Sequence, residues 1–382
     1  NNTFTLNTGS TSDFDGNSAT RGVQINKGTS ATPVLDFVYE GGTITVQGAA
    51  PTTFGFFYIT NGTLKVSGTG TLAMPLFSVN AYTIPATGGF WMNNANFTVN
   101  GQNGAATLAG MLKMTAGTLN IGTTNNSMGF SSGAKIYIDG GTINAVARFA
   151  VSSVANAITY VQTGGTVNVN TLAGNTSGTY ASFDMGTAAT TQFTMSGGTV
   201  VLVRGSANTE LRGASTTATL SVTGGTFQLG NNTTTAATTF RILGVTPTLV
   251  VNNASTLNPS VTLNGNTVVY GDLTINGTGT FSLGTLYDLN MKGMNATYPG
   301  NIVLNDASIL NASLGSSQSL TFSSSVGNQS ISGTGTVTSN AITKLIVNNT
   351  FAAGTVTIPS GLTIKDGASL SGTLTLTKGI LT

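Results

Sequence analysis

The sequence predicts an all-β protein, a right-handed parallel β-helix (β-solenoid) of elongated form. Three observations carry this: a Gly-Thr pair recurs mostly at intervals in the twenties, apolar residues alternate at fixed offsets on both sides of it, and charged residues make up only 6% of the 382-residue chain. A period of that length belongs to solenoids, in which each repeat buries its apolar face against the next. The expected handedness follows from the preference of parallel crossovers.

The Thr of the pair stands at 43, 63, 118, 142, 166, 199 and 226, giving spacings of 20, 55, 24, 24, 33 and 27 residues. The long gap is expected to hide a further unit around Asn96-Phe97-Thr98-Val99. The first and third residues after each Thr are apolar, as in Leu119/Ile121, Ile143/Ala145 and Val167/Val169. Period two marks a strand with one buried face. Six and four residues before the Thr lies a second such strand, as in Leu112/Met114, Ile136/Ile138 and Tyr160/Gln162, where Gln162 alone is polar.

Between the two strands stand Gly42, Gly62, Gly117, Gly141, Gly165, Gly198 and Gly225. These are expected corners, because a sharp turn visits positive φ, which glycine adopts without a Cβ clash. Antiparallel hairpins would also use such glycines, yet they do not explain why whole units recur with one apolar pattern. On stacking, Asn120, Asn144 and Asn168 fall into an amide ladder, a stabilising arrangement that requires no ligand. After Thr246 the style changes to short alternating strands such as Leu273-Thr-Ile275 and Leu320-Thr-Phe322, separated by Asn-Gly, Asp-Gly and Gly-Thr-Gly turns. Residues 1–246 are therefore read as a solenoid with Gly-Gly-Thr corners, and 247–382 as its continuation with different turn chemistry. The chain stops within a repeat-like strand, so more chain is expected beyond it.

Composition narrows the function. With 39% hydrophobic residues in regular spacing the chain is no disordered segment. Its net charge of +2 comes from singly scattered groups, so no basic stripe invites nucleic acid. Cysteine and histidine are both absent, which removes thiol nucleophiles, disulfides and the commonest metal ligand and general base. No apolar run reaches the roughly 18 residues of a membrane-spanning helix.

The acidic residues are few enough to inspect one by one. Asp13 with Asp15, and Asp36 with Glu40, are the nearest pairs; Asp139, Asp184, Glu210, Asp272, Asp288, Asp306 and Asp366 stand alone. Converging carboxylates, as glycoside hydrolysis needs, are not indicated. Asp13-Phe-Asp15-Gly-Asn17 resembles a calcium loop, but the distal Glu is missing and Thr20-Arg21-Gly22 follows, where Arg would oppose a cation, so a solvated turn is expected and no metal site. The Gly-rich corners lack the Gly-Lys-Ser/Thr ending of a phosphate cradle. In Gly88-Gly-Phe-Trp-Met92 three large residues are consecutive and cannot all face the core, which makes Phe90 and Trp91 the expected contact patch. Thr-x-Thr pairs raise an ice-binding alternative, but the second position reads Thr45, Lys65, Asn120, Asn144, Asn168, Val201 and Gln228, which is no uniform lattice.

The units Gly41-Gly-Thr-Ile-Thr-Val46 and Gly224-Gly-Thr-Phe-Gln-Leu229, with the closing Gly372-Thr-Leu-Thr-Leu-Thr-Lys-Gly-Ile-Leu-Thr382, resemble the repeats of very large Bacteroidota cell-surface adhesins. That resemblance implies export by the type IX secretion machinery, an outer-membrane anchor, an extracellular location and, in some members, gliding motility. The expected function is a structural or adhesive rod without catalysis or cofactor, touching an extracellular surface or glycan. The alternatives are a polysaccharide-binding or polysaccharide-cleaving β-helix and, further off, an ice-binding solenoid.

Overall fold

The computed structural model describes residues 2–14, 23–26, 31–32, 34–46, 55–172, 179–206, 208–234, 239–251, 258–312, 318–338, 341–352, 354–364 and 373–382. There is no α-helix among them, and the ladders between strands are parallel, with only isolated antiparallel bridges. The chain is a parallel β-solenoid. It forms two compact units, residues 1–173 with 184–194, and residues 174–183 with 195–382. Residue 246 lies inside the second unit, which therefore holds both corner styles.

In the first unit one coil consists of Ala106–Leu108, Met111–Met114 and Thr118–Ile121, and the next of Met128–Phe130, Lys135–Ile138 and Thr142–Ala145. Each strand pairs in register with its equivalent one coil later. Leu112 opposes Ile136, which opposes Tyr160; Leu119 opposes Ile143, which opposes Val167; Ala106 opposes Met128, which opposes Phe149. The 24-residue spacing of Thr118, Thr142 and Thr166 is thus one full coil. All nine of these opposed apolar residues are buried, which is what alternation with period two requires when one sheet face looks inward. Gln162 also points inward. It is satisfied there, accepting the Tyr160 hydroxyl at 2.6 Å and donating to the carbonyls of Gly164 at 3.1 Å and Gly165 at 3.3 Å.

Gly117, Gly141, Gly165, Gly198 and Gly225 all stand at positive φ. The hidden unit is present as Phe97–Val99, paired with Thr118–Ile121 on one side and Leu72–Met74 on the other. Two earlier expectations need correction. Gly42 is not the left-handed residue of its corner; Gly41 is, at φ +101°. Gly42 is glycine because Leu6 and the Asn7 carbonyl lie where a Cβ would stand. Gly62 has φ +81° but bends one continuous strand, Phe57–Ser67, whose first half pairs with Val23–Asn26 and whose second half pairs with Val34–Glu40 and Gly88–Met92. Leu64 therefore opposes Phe90 and belongs to the column of Leu112, not that of Leu119. The Gly-Thr pair marks a bend in both cases, but a bend between different faces.

In the second unit a column of inward residues runs Val200, Phe227, Leu249, Leu273, Ile302, each opposing the next and each fully buried. Thr248 continues the corner column opposite Thr226, with Pro247 where a glycine stood before. The long strands Thr239–Thr246 and Ser260–Val269 bend between two faces, pairing Phe240 with Val261 and Val245 with Val268. The strand Thr373–Lys378 is paired with Lys344–Asn348, and its Leu374 and Leu376 are exposed.

The corners give a direct test. A Cβ on Gly141 would lie 2.7 Å from the Gly117 carbonyl oxygen and 2.8 Å from the Ala116 carbonyl carbon, both backbone, at φ +71°. Gly133 has φ +85° with nothing within 4 Å. Gly141→Ala is expected to cost about 2–4 kcal/mol and Gly133→Ala about 1 kcal/mol, measured by denaturant unfolding. Equal losses would contradict the packed corner.

Candidate functional site

Alternation that sends Leu112 and Met114 inward sends their neighbours outward, and the in-register stack sorts those neighbours into columns. One column on the first unit reads Asp36, Lys65, Trp91, Lys113, Tyr137. Trp91 is half-buried and stands between cations from the two flanking strands, with Lys65 Nζ 4.9 Å and Lys113 Nζ 4.5 Å from the ring centre. Its indole N–H donates to Thr115 Oγ1 at 3.0 Å, and Thr115 donates to Asn93 Oδ1 at 2.5 Å. Lys65 forms an ion pair with Asp36 at 2.7 Å, and Asp36 also accepts Ser67 Oγ at 2.6 Å. Lys113 approaches Asp139 at 3.9 Å, and Asp139 accepts Thr163 Oγ1 at 2.9 Å.

Trp91 is thus an outward residue, as expected for a contact patch, whereas Phe90 is not. Phe90 is fully buried, in contact with Phe77 at a centroid distance of 5.1 Å. Adjacent strand residues cannot share a face, and the inward register of Leu64 and Leu112 claims Phe90. The lysines around Trp91 escape notice in a linear reading. They become visible on reading the outward position five residues before each corner Thr, which is Lys113 and then Tyr137 in successive coils.

Among the described residues the acidic side chains grip neighbouring loops and do not converge. Glu40 accepts the Thr69 amide at 3.1 Å and hydroxyl at 2.6 Å. Asp272 accepts the amides of Gly300 at 3.0 Å and Asn301 at 2.8 Å, and Asp288 accepts the Ser319 amide at 2.7 Å and hydroxyl at 3.0 Å. Asp306 accepts Gly277 N–H at 3.1 Å, and buried Asp184 accepts Gly186 N–H at 2.9 Å. Burial holds the Asp272 carboxyl above its ordinary value against the lowering effect of these amides. Among the described residues no group of three or more His, Cys, Asp or Glu could hold a metal. Asp15 through Gly22, Asp366 and the Gly372 of the closing repeat lie outside the described residues. The amide ladder is present: Asn144 Nδ2 donates to Asn120 at 2.9 Å and Asn168 Nδ2 to Asn144 at 2.8 Å.

Glu210 is different. It is the extra residue of a bulge between Thr209 and Leu211, is fully buried, and accepts Ser206 N–H at 2.8 Å, Ser206 Oγ at 2.6 Å and Arg241 N–H at 2.7 Å. Burial pushes its carboxyl up to about 7, the hydrogen bonds opposing that rise only in part.

A second surface feature lies on the first unit where strand pairing is interrupted. A groove of about 730 Å³ runs between the first half of Phe57–Ser67 and the strands Tyr82–Ile84 and Ala106–Leu108. Its described walls carry aromatic rings, hydroxyls and an amide, with no ammonium or carboxylate among the described residues.

Two measurements check these features. A double-mutant cycle on Trp91→Ala and Lys113→Ala, read by denaturant unfolding, is expected to show a coupling of about 0.5–1 kcal/mol; strictly additive losses would remove the ring–cation contact. For Glu210 the folded state retains a proton that the unfolded chain releases near the ordinary value of 4.5. Stability is then expected to fall as pH rises from about 4.5 to about 7, by an amount on the order of 3 kcal/mol, and Glu210→Gln to abolish that component. A pH profile unchanged by the substitution would contradict it.

No family model matches the chain, nor does any curated protein or solved structure.

Proposed function

We propose that this chain is a non-catalytic structural and adhesive segment of an exported cell-surface protein, touching an extracellular surface or glycan through its outward sheet faces. Carrying the reading is the use made of carboxylates: Asp36, Glu40, Asp139, Asp272 and Asp288 each hold a neighbouring strand or loop through hydrogen bonds or an ion pair. Carboxylates spent on cohesion between coils are not aimed at a common substrate atom, as acid–base catalysis would need. The sparsely charged surface, rich in amides and hydroxyls, suits an exposed scaffold. The resemblance of its units to Bacteroidota adhesin repeats supports export by the type IX machinery and anchoring at the outer membrane. The outward column of Lys65, Trp91, Lys113 and Tyr137 offers a mixed aromatic and cationic contact face.

A polysaccharide-binding reading draws support from the groove, whose described lining residues are uncharged. Beads coated with the full chain are expected to adhere under flow to polysaccharide- or protein-coated glass more than albumin-coated beads do, with no release of reducing ends from the polysaccharide. Adhesion no greater than the albumin control, or reducing ends that increase with chain concentration, would overturn the proposal.

A further inference from the structure

We propose that the groove beside Tyr58 and Tyr82 is a binding site for an uncharged oligosaccharide. Its origin is a break in hydrogen bonding. Val23–Asn26 pairs with the first half of Phe57–Ser67, and Tyr82–Ile84 pairs with Ala106–Leu108, but the two pairs are not joined to each other by a ladder. The cleft between them, about 730 Å³, falls within the size of small-molecule sites.

The lining has the two surfaces a sugar ring presents. Tyr58 and Tyr82 supply aromatic area, and the buried Phe77 ring stacks on that of Tyr82 at 4.7 Å, which holds the Tyr82 ring in place. The electron-rich face of a ring favours the slightly positive C–H side of a pyranose. Gln24, Thr60, Thr83 and Thr107 supply an amide and hydroxyls, groups that donate and accept as sugar hydroxyls do. Gln24 Nε2 donates to Thr60 Oγ1 at 3.2 Å, and Thr60 donates to the Ile25 carbonyl at 3.0 Å, so this corner is oriented before a ligand arrives. Thr83 and Thr107 oppose each other on paired strands, about 4.8 Å apart.

Charge decides the ligand class. Among the described lining residues there is no ammonium or carboxylate, so a phosphate, uronate or charged peptide side chain would lose hydration with no ionic partner from them in return. An extended peptide would instead need a free strand edge. Along the Phe57–Ser67 strand that edge is partly taken: Phe57 N–H donates to the Leu76 carbonyl, Gly62 N–H to the Thr87 carbonyl, and Thr87 Oγ1 to the Thr60 carbonyl at 2.9 Å.

The test is calorimetric titration of the full chain with hexasaccharides of neutral glucan, mannan and xylan, beside a galacturonate hexasaccharide and an uncharged extended peptide. At least one neutral hexasaccharide is expected to bind, with galacturonate at least about tenfold weaker and the peptide without effect. Tyr82→Ala is expected to weaken binding about tenfold and Thr83→Val several-fold, while Tyr298→Ala, an exposed tyrosine in the second unit, leaves it unchanged. Thr83 is exposed, so its replacement spares the core and separates lost contact from lost fold, with circular dichroism as the check. The proposal is overturned by no heat from any neutral sugar up to about 10 mM, by galacturonate or peptide binding as tightly, or by wild-type affinity in Thr83→Val and Tyr82→Ala alike. Bead adhesion and groove binding are read by different measurements, so either can fail without the other.

Discussion

An inward side chain on a parallel coil is covered by the same position on the coils before and after it, and this single constraint organises the protein. It forces apolar identity down whole columns, such as Leu112, Ile136 and Tyr160 in one unit and Val200, Phe227 and Leu249 in the other. It also fixes register, because a slip of one residue would turn every inward side chain outward. Corners must then recur at matching points, and glycines able to adopt positive φ stand there in successive coils.

The same stacking answers for the polar groups. An outward amide meets another amide one coil away, and Asn120, Asn144 and Asn168 bond in series, as do Asn276 and Asn305 at 2.8 Å. Buried polar side chains survive where their hydrogen bonds close locally. Gln329 is an instance: it accepts Ser324 N–H at 2.9 Å and donates to the carbonyls of Met291 at 2.9 Å and Gly300 at 3.1 Å. Glu210 is held by comparable bonds, but it carries a proton equilibrium that Gln329 lacks, and burial makes its charged form costly.

Features that stand apart arise where the stack is least regular. Trp91 stands opposite lysines on both flanking strands, and Gly89, its neighbour on the same outward side, leaves room that Thr63 and Met111 fill. The groove beside Tyr58 and Tyr82 exists because one ladder stops and another begins. In both places aromatic rings join the outward amides and hydroxyls that serve cohesion elsewhere.

The sequence by itself determined the parallel β-solenoid class, the inward columns around Thr118, Thr142 and Thr166, most of the corner glycines and the asparagine ladder. All of these repeat, and a repeat is visible in one dimension because local alternation and inter-coil contact impose the same pattern. Its assignments failed where two local patterns look alike but join different faces: Gly62 bends a single long strand, and Phe90 faces the core while Trp91 does not. Tertiary structure alone decided which coil lies beside which outside the regular 24-residue stretch, and so which cations meet Trp91 and where the ladder breaks to leave a groove. The reason is physical: variable return segments set the coil register, and a lysine or tyrosine on an outward face gains its neighbour only through a strand some two dozen residues away.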